Sequence, residues 1–189
     1  MRPMLLIDVD GPLNPYAAKP RQPPEGYTTH HLLPPSWVQE RKIMLALLGR
    51  PDEKVKPLRV WLNPDHGPAL AALPFALVWA TTWEHEANEY IGPVLGLPEL
   101  PVIAWPEDRV EPADGVYWKT PEIVAWADGR PFAWIDDEIT DADRDWVRDW
   151  HDGPALLRRI DPAIGLAAED FEALAAWAEA MGGNSADGR

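Results

Sequence analysis

A continuous apolar run lies near the start of the chain, from Met4 to Val9, and Asp8 is its only polar residue. Continuous rather than alternating hydrophobicity is typical of a parallel strand that is buried on both faces. The run therefore predicts a central strand that needs helices on both sides of its sheet. It is too short and too charged for a signal peptide or a membrane helix, so we expect a cytoplasmic protein without a membrane partner.

Strand patterns and helix patterns alternate along the rest of the chain. We predict strands at 58–62, 75–79, 101–104, 132–135 and 155–159, and helices at 36–48, 64–73, 81–91, 120–127, 142–150 and 169–181. Most of the helix starts are indicated by a Ser, Thr or Asn residue followed by proline or an acidic or amide side chain. The alternation predicts an α/β fold: a three-layer, Rossmann-like parallel sheet whose ligands bind beyond the carboxyl ends of the strands.

The length of 189 residues and the hydrophobic content of 46% suit one well-packed domain better than two. We expect this domain to span 1–181, with a small cap or loop insertion at about 14–57 after the first strand. The proline-rich stretch 11–35 is predicted to be an irregular loop over one end of the sheet. Residues 182–189 are predicted to be a flexible tail.

Charge and cysteine content exclude several classes of function. The chain has 31 acidic and 17 basic side chains, a formal net charge of −14, so extended nucleic-acid binding is not expected. A divalent cation held by a few carboxylates reverses that sign locally, so a phosphate can still bind within a site. With no cysteine, thiolate metal sites, a thiolate nucleophile and disulfides are all excluded.

Two carboxylates stand at the end of the predicted first strand, in the motif Asp8-Val9-Asp10-Gly11. Residues two apart on a strand face the same side, so Asp8 and Asp10 point into one crevice. Two acids there are costly without a partner, and Mg²⁺, which prefers oxygen ligands, would neutralise both them and an incoming phosphate. The alternative is that these acids only cap the turn into the following loop.

Three further features follow in order along the chain: Thr81 after the strand 75–79, Lys119 beside a helix start, and Asp136-Asp137 at the end of the strand 132–135. Each also has a purely structural explanation. Thr81 could open a capping box with Glu84, Lys119 could be solvated, and the acid pair could cap the next helix. Any one of these features is a weak signal, but their order along the chain is more specific.

This order resembles the haloacid dehalogenase-like phosphatase superfamily over most of the chain. The matching pieces are Asp8-Val9-Asp10-Gly11-Pro12-Leu13-Asn14, Thr81, Lys119 and Ile135-Asp136-Asp137. The resemblance implies an Mg²⁺-dependent phosphomonoester hydrolase in which Asp8 forms an aspartyl-phosphate. It also implies that Asp10 first protonates the leaving alcohol and then deprotonates the hydrolytic water.

The same resemblance implies roles for the remaining residues. Thr81 would donate its hydroxyl to a phosphoryl oxygen, and Lys119 would hold the phosphate and the Asp8 carboxylate together. The metal site would comprise Asp8, Asp10, Asp136 and Asp137. Of the last two, Asp136 is the predicted direct ligand, and Asp137 is expected to support the site through a second layer of contacts.

The size of the insertion bears on which substrates the site could accept. Because the insertion is short, the site should be open, which admits a phosphorylated nucleic-acid end. The acidic surface, however, makes a phosphorylated small molecule the simpler substrate. Segments 61–64 and 81–83 look similar to minimal-cap relatives thought to trim phosphates during RNA repair. A non-catalytic domain that keeps the fold and only binds a phosphate ligand or a protein is the alternative from a different class.

Histidines and tryptophans near the predicted strand ends are the candidates for substrate contact. The candidates are His30, His31, His66, His85, Trp83 and Trp118. The adjacent histidine pair is also explained as an exposed pair on the proline-rich loop. Trp79 and Trp134 lie within predicted strands, and we expect them in the core.

Overall fold

A parallel four-stranded sheet forms the centre of the protein. The computed structural model describes residues 2–19, 22–110, 112 and 115–183. β1 (Met4–Ile7) lies between β4 (Ala76–Trp79) and β5 (Phe132–Asp136), and β6 (Ala155–Arg159) pairs with the other side of β5. The apolar run at the start of the chain is therefore an inner strand, as predicted.

Helices cover both faces of this sheet. They are α1 (Pro35–Leu47), α2 (His66–Ala72), α3 (Gly92–Leu95), α4 (Lys119–Ala127), α5 (Asp141–Trp150) and α6 (Ala168–Gly183), with a π-helix at Ala87–Ile91 directly before α3. Leu5 and Ile7 of β1 pack into one core with residues of α2, α3 and α6. Met4 and Leu6 pack into a second core with residues of α4 and α5. The result is an α/β architecture compatible with a Rossmann-like layout.

The region after β1 differs from the prediction in two ways. β2 (Thr28–Leu32) lies inside the stretch 11–35 that was predicted to be irregular, and it pairs antiparallel with β3 (Leu58–Leu62). The segment 58–62 is therefore not a strand of the parallel sheet. Its apolar residues resemble those of a core strand because Val60 and Leu62 do pack into the first core, but from a separate two-stranded sheet.

Two predicted helix caps are wrong because a tertiary partner takes the hydroxyl group. α1 has no side-chain cap; instead Ser36 donates both its backbone N–H and its hydroxyl to the carboxylate of Glu86. Thr120 is the second residue of α4, and its hydroxyl donates to Asp143 at 2.6 Å. Local sequence patterns predict that such hydroxyls bind nearby backbone groups, and they contain no information about a partner that is distant in sequence.

Two other elements are shorter than predicted. Residues 101–104 contribute a single bridge, between Val102 and Trp79, rather than a strand. The predicted helix 81–91 begins as turns and becomes regular only in the π-helix from Ala87. Asn88 in that π-helix donates to Leu100 O at 2.8 Å and accepts from Leu100 N at 2.9 Å, so its side chain anchors the returning segment.

The ends and surface of the chain add two observations. α6 continues to Gly183, and the remaining residues of the predicted tail, 184–189, lie outside the described part of the chain. Within the described residues, no helix is both long enough and apolar enough to cross a membrane.

Asp143 joins the starts of α4 and α5. One of its carboxylate oxygens accepts from Thr140 N at 2.7 Å and from the Thr140 hydroxyl at 2.8 Å, completing a capping box for α5. The other oxygen accepts from Tyr117 N at 2.7 Å and from the Thr120 hydroxyl at 2.6 Å. Since α5 has this cap, the acid pair at the end of β5 is not needed to cap the helix that follows it.

We expect Asp143→Asn to lower the free energy of unfolding by about 2–4 kcal/mol, because hydrogen bonds to a buried charge are lost and an amide N–H₂ faces donors. Urea denaturation measures this change. Asp145→Asn on the exposed side of α5 is the matched control and should change stability by less than about 0.5 kcal/mol. Equal stability of the two variants would contradict the structural role of Asp143.

His66 is a buried histidine whose environment favours its neutral form. Its ring packs edge-on against Tyr27, at 5.4 Å between centroids, and at a tilt of 57° against Phe171, at 5.6 Å. Among the described residues, Nδ1 of His66 has no hydrogen-bond partner. Burial lowers the pKa of His66, and the nearby Asp65 carboxylate only partly offsets this. His66 therefore belongs to the core and not to the sheet edge where the sequence placed it.

Stability should consequently depend on pH. The unfolded chain binds a proton at His66 near pH 6.5 more readily than the folded protein does, so His66 should make the slope of the unfolding free energy against pH more positive between about pH 5.5 and 8. His66→Phe should reduce this slope, as measured by urea denaturation across that pH range, whereas His85→Phe at an exposed position should not. An unchanged slope in His66→Phe would contradict a neutral, buried His66.

Candidate functional site

The ends of β1 and β5 bring three carboxylates together. Ile7 pairs with Ile135, so the next residues, Asp8 and Asp136, leave adjacent parallel strands at the same edge of the sheet. One carboxylate oxygen from each of Asp8, Asp136 and Asp137 lies within 4.8 Å of the others. All three side chains are buried, so the charges are close together in a region of low solvent access.

Lys119 neutralises part of this cluster. It is the first residue of α4, is only 1% exposed, and places Nζ 3.1 Å from Asp8 Oδ2 and 2.9 Å from Asp136 Oδ2. Burial alone would lower the pKa of Lys119, but Asp8 and Asp136 raise it above its ordinary value. The lysine therefore stays charged, and a solvated Lys119 is excluded.

One ammonium group does not balance the cluster. Burial and the neighbouring Asp8 raise the pKa of Asp136 in spite of its contact with Lys119. Burial also raises the pKa of Asp137, although the hydroxyl of Tyr16 donates to it. Both shifts have the same physical cause, an excess of negative charge in a poorly solvated place.

Asp10 is held apart from the three clustered carboxylates. Its Oδ1 accepts from Asn14 Nδ2 at 2.7 Å, and its Oδ2 accepts from the indole Nε1 of Trp83 at 2.9 Å. Asn14 in turn accepts from Trp61 N at 3.0 Å, which connects Asp10 to β3. Burial, followed by repulsion from Asp8, raises the pKa of Asp10, so a proton on this carboxyl is less costly than on an exposed one.

Asp136 and Asp137 differ in how much of each carboxylate is free. Asp136 accepts from Lys119 Nζ and from Glu138 N, using both oxygens. Asp137 accepts from Tyr16 through Oδ2 only, and its side chain lines the cavity above the cluster. Gly11 permits this packing, since its φ is +89° and a Cβ there would lie 2.6 Å from the side chain of Asp137.

We call the space above these carboxylates the acidic cavity; its volume is about 340 Å³. It is lined by Asp8, Asp10, Tyr16, Thr82, Tyr117, Lys119, Asp137 and Glu138. The predicted residue Thr81 is fully buried, and its hydroxyl oxygen accepts from Trp83 N at 3.3 Å. The threonine in the cavity wall is its neighbour Thr82, and Thr81 does not form the alternative capping box with Glu84.

Sequence reasoning missed several residues of this site. Tyr16, Tyr117 and Thr82 each lie within two residues of a motif position, and proximity in sequence was the only available signal. Asn14 is the last residue of the first motif, and the motif gave it no role of its own, although its side chain orients Asp10. No local pattern could have shown that Trp83 donates to a carboxylate from a different strand end.

The candidate specificity residues divide into core and surface positions. His30 and His31 lie on β2, and His85 lines a separate surface cavity with Asn88 and Glu89. These histidines are outside the wall of the acidic cavity. Trp79 and Trp134 are fully buried, as predicted.

Trp118 is part of an aromatic cluster beside the site. Its ring packs edge-on against Trp105 at 5.2 Å and against Tyr117 at 5.7 Å between centroids. The guanidinium of Arg109 lies 4.9 Å from the centroid of Trp118. Through Tyr117, this cluster forms part of the wall behind Lys119.

The donor set fits a hard divalent cation. Three carboxylates with one ammonium carry a net charge of −2 when all are ionised, before Asp10 is counted, and the oxygen atoms are those that Mg²⁺ prefers. Asp8, Asp136 and Asp137 would hold the ion. The predicted metal role of Asp10 is less direct in this geometry, since Asp10 is not one of the three residues whose carboxylate oxygens lie within 4.8 Å of one another.

Mg²⁺ should stabilise the folded protein, because the unfolded chain does not assemble these carboxylates. At a concentration about 100 times its dissociation constant, the ion contributes about 2.7 kcal/mol. We expect Asp137→Asn to weaken the magnesium-dependent rise in thermal midpoint, whereas Asp141→Asn, at an exposed position, should keep it. The readout is thermal unfolding across a magnesium titration, and the absence of any rise in the wild type would contradict the metal site.

Comparison of this chain with protein-family models, with curated proteins and with solved structures finds no match. Its chemistry is therefore inferred from its own residues. The acidic cavity lies over a carboxylate triad paired with a buried lysine, and the separate carboxyl of Asp10 lies in its wall.

Proposed function

We propose that this protein is an Mg²⁺-dependent phosphomonoester hydrolase of the haloacid dehalogenase-like kind. The observation that carries the proposal is the position of Lys119 Nζ between Asp8 and Asp136, at 3.1 and 2.9 Å. A buried ammonium that pairs with a strand-end carboxylate also provides a positive charge for an incoming phosphate. The motif order from Asp8 to Asp137 supports the same conclusion.

In the first chemical step, a carboxylate oxygen of Asp8 attacks phosphorus. The new bond joins Asp8 to phosphorus, and the bond from phosphorus to the leaving oxygen breaks with its electron pair on that oxygen. Asp10 supplies a proton to the leaving oxygen, so an alcohol departs. Asn14 and Trp83 fix the carboxyl of Asp10 for this task.

In the second step, a water molecule attacks the phosphorus of the aspartyl-phosphate. Asp10, now ionised, takes a proton from that water, and the bond between Asp8 and phosphorus breaks. Inorganic phosphate leaves, and both carboxyls return to their starting states. Two carboxyls with separate environments are needed, since one must be a nucleophile while the other carries a proton.

Magnesium at Asp8, Asp136 and Asp137 would neutralise phosphoryl oxygens during both steps. Lys119, whose Nζ lies 3.1 Å from Asp8 Oδ2, contributes a second positive charge. We assign to Thr82 the contact with a phosphoryl oxygen that the sequence motif gave to Thr81, because Thr82 lines the same cavity and Thr81 is fully buried.

We propose a small phosphomonoester as the substrate in preference to a nucleic-acid end. The net charge of −14 repels an extended phosphate backbone, whereas a single phosphate needs only the local charge of Lys119 and a cation. A phosphorylated nucleic-acid end remains the alternative that a substrate panel tests.

Asp8→Asn should abolish turnover, by a factor on the order of 10⁴ or more, because an amide does not attack phosphorus at a useful rate. Phosphate release from a panel of sugar phosphates, nucleotides and phosphorylated oligonucleotides measures this, with and without Mg²⁺. Asp141→Asn serves as the control for loss of one acidic side chain, and it should keep wild-type activity.

Three outcomes of this experiment separate the candidate functions. Magnesium-dependent release by the wild type, lost in Asp8→Asn, supports the hydrolase. Full activity in Asp8→Asn refutes Asp8 as the nucleophile. Folded wild-type protein that gains stability from Mg²⁺ and yet releases no phosphate from the panel favours a non-catalytic phosphate-binding domain.

A further inference from the structure

A second cavity adjoins the acidic cavity and shares Thr82 with it. This side cavity also has a volume of about 340 Å³, and it is lined by Pro34, Ser36, Trp37, Glu40, Leu58, Thr82, Trp83 and Arg109. Its walls come from α1, the start of β3, the turn before the π-helix and the segment that carries Arg109. The size is at the lower end of the range for small-molecule sites.

The aromatic wall of the side cavity is held in place by specific contacts. The indole Nε1 of Trp37 donates to Lys56 O at 2.9 Å, and the guanidinium of Arg41 lies 4.0 Å from the ring centroid. Ser36 is bound through two hydrogen bonds to Glu86, which joins the start of α1 to the residue before the π-helix. A half-buried indole with a fixed orientation offers a binding surface at low entropic cost.

Trp83 connects the side cavity to the proposed chemistry. It lines the side cavity, and its Nε1 donates to Asp10 Oδ2 at 2.9 Å. A general acid must lie beside the leaving oxygen, so the leaving group departs on the side of Asp10 and Trp83. The other neighbouring cavity lies past Asp137 and Glu138 and includes neither Asp10 nor Trp83 in its wall.

The wall chemistry of the side cavity indicates what kind of leaving group it takes. Trp37 and Trp83 favour a planar ring, since aromatic side chains stack on nucleobases. At the rim, Arg109 offers only hydrogen-bond donors and Glu40 only acceptors. A nucleobase carries both kinds of group on its edge, whereas a simple phenyl ring carries neither.

We infer that the side cavity binds the base of a nucleotide whose phosphate lies in the acidic cavity; this inference rests on the proposed hydrolase function. Two sources share this chemistry: a free nucleotide and the terminal nucleotide of a strand. The acidic surface favours the free nucleotide, since each further phosphate of a strand adds repulsion.

The test compares adenosine 5′-monophosphate with ribose 5-phosphate, which differ only by the base. In the wild type, kcat/KM should be higher for the nucleotide by roughly tenfold or more, the scale of stacking on an aromatic ring. Trp37→Ala should bring this ratio close to one, mainly through KM, and Trp37→Phe should retain most of it. Trp150→Ala, at an exposed tryptophan of α5, is the matched control and should keep the wild-type ratio.

Binding to the Asp8→Asn protein separates this inference from the proposed function. If no substrate turns over, calorimetric binding of adenosine monophosphate with Mg²⁺ that weakens in Asp8→Asn/Trp37→Ala still supports the side cavity as a base site. Equal kcat/KM for the two substrates, or equal ratios in Trp37→Ala and Trp150→Ala, would overturn the inference. If the wild type is inactive, undetectable nucleotide binding would also overturn it. A 5′-phosphorylated trinucleotide preferred over the free nucleotide would identify a strand end as the source.

Discussion

The ion pairs of Lys119 with Asp8 and Asp136 are the interaction on which the site depends. A lysine that is 1% exposed is tolerated only because two carboxylates surround its ammonium group. Those carboxylates in turn need a positive charge, since they lie at adjacent strand ends with little access to water. β1, β5 and α4 must therefore keep their relative positions, and the Asp143 carboxylate stabilises the start of α4 next to this lysine.

The segment between β1 and α2 supplies side chains that orient and line the proposed active site. Asn14 bridges Asp10 and the backbone of Trp61 in β3, so the two-stranded sheet helps to orient the proposed general acid. The same segment provides Trp37, which lines the side cavity together with Trp83. The same part of the fold therefore provides Trp37 in the wall of the side cavity and Asp10, the proposed general acid.

Much of this arrangement was predictable from local patterns. The buried run 4–9, the strand 132–135 and the acids that follow both strands could be read directly, because parallel strands place their carboxyl ends at one edge of the sheet. Other features depended on partners distant in sequence. The pairing of 58–62 with β2, the exchange of Thr81 for Thr82 in the cavity wall and the Trp83–Asp10 hydrogen bond arise only from tertiary packing, so periodicity and capping rules carried no signal for them.

In the proposed mechanism Asp8 carries the phosphoryl group during turnover. Rapid acid quenching of the wild-type protein during hydrolysis of its best substrate, followed by mass spectrometry of the peptides, tests this directly. We expect a transient phosphoryl group on the peptide that contains Asp8, localised to that residue and absent without Mg²⁺. Turnover at the same rate with no phosphorylated protein at any quench time, or with the phosphoryl group on a different residue, would contradict it.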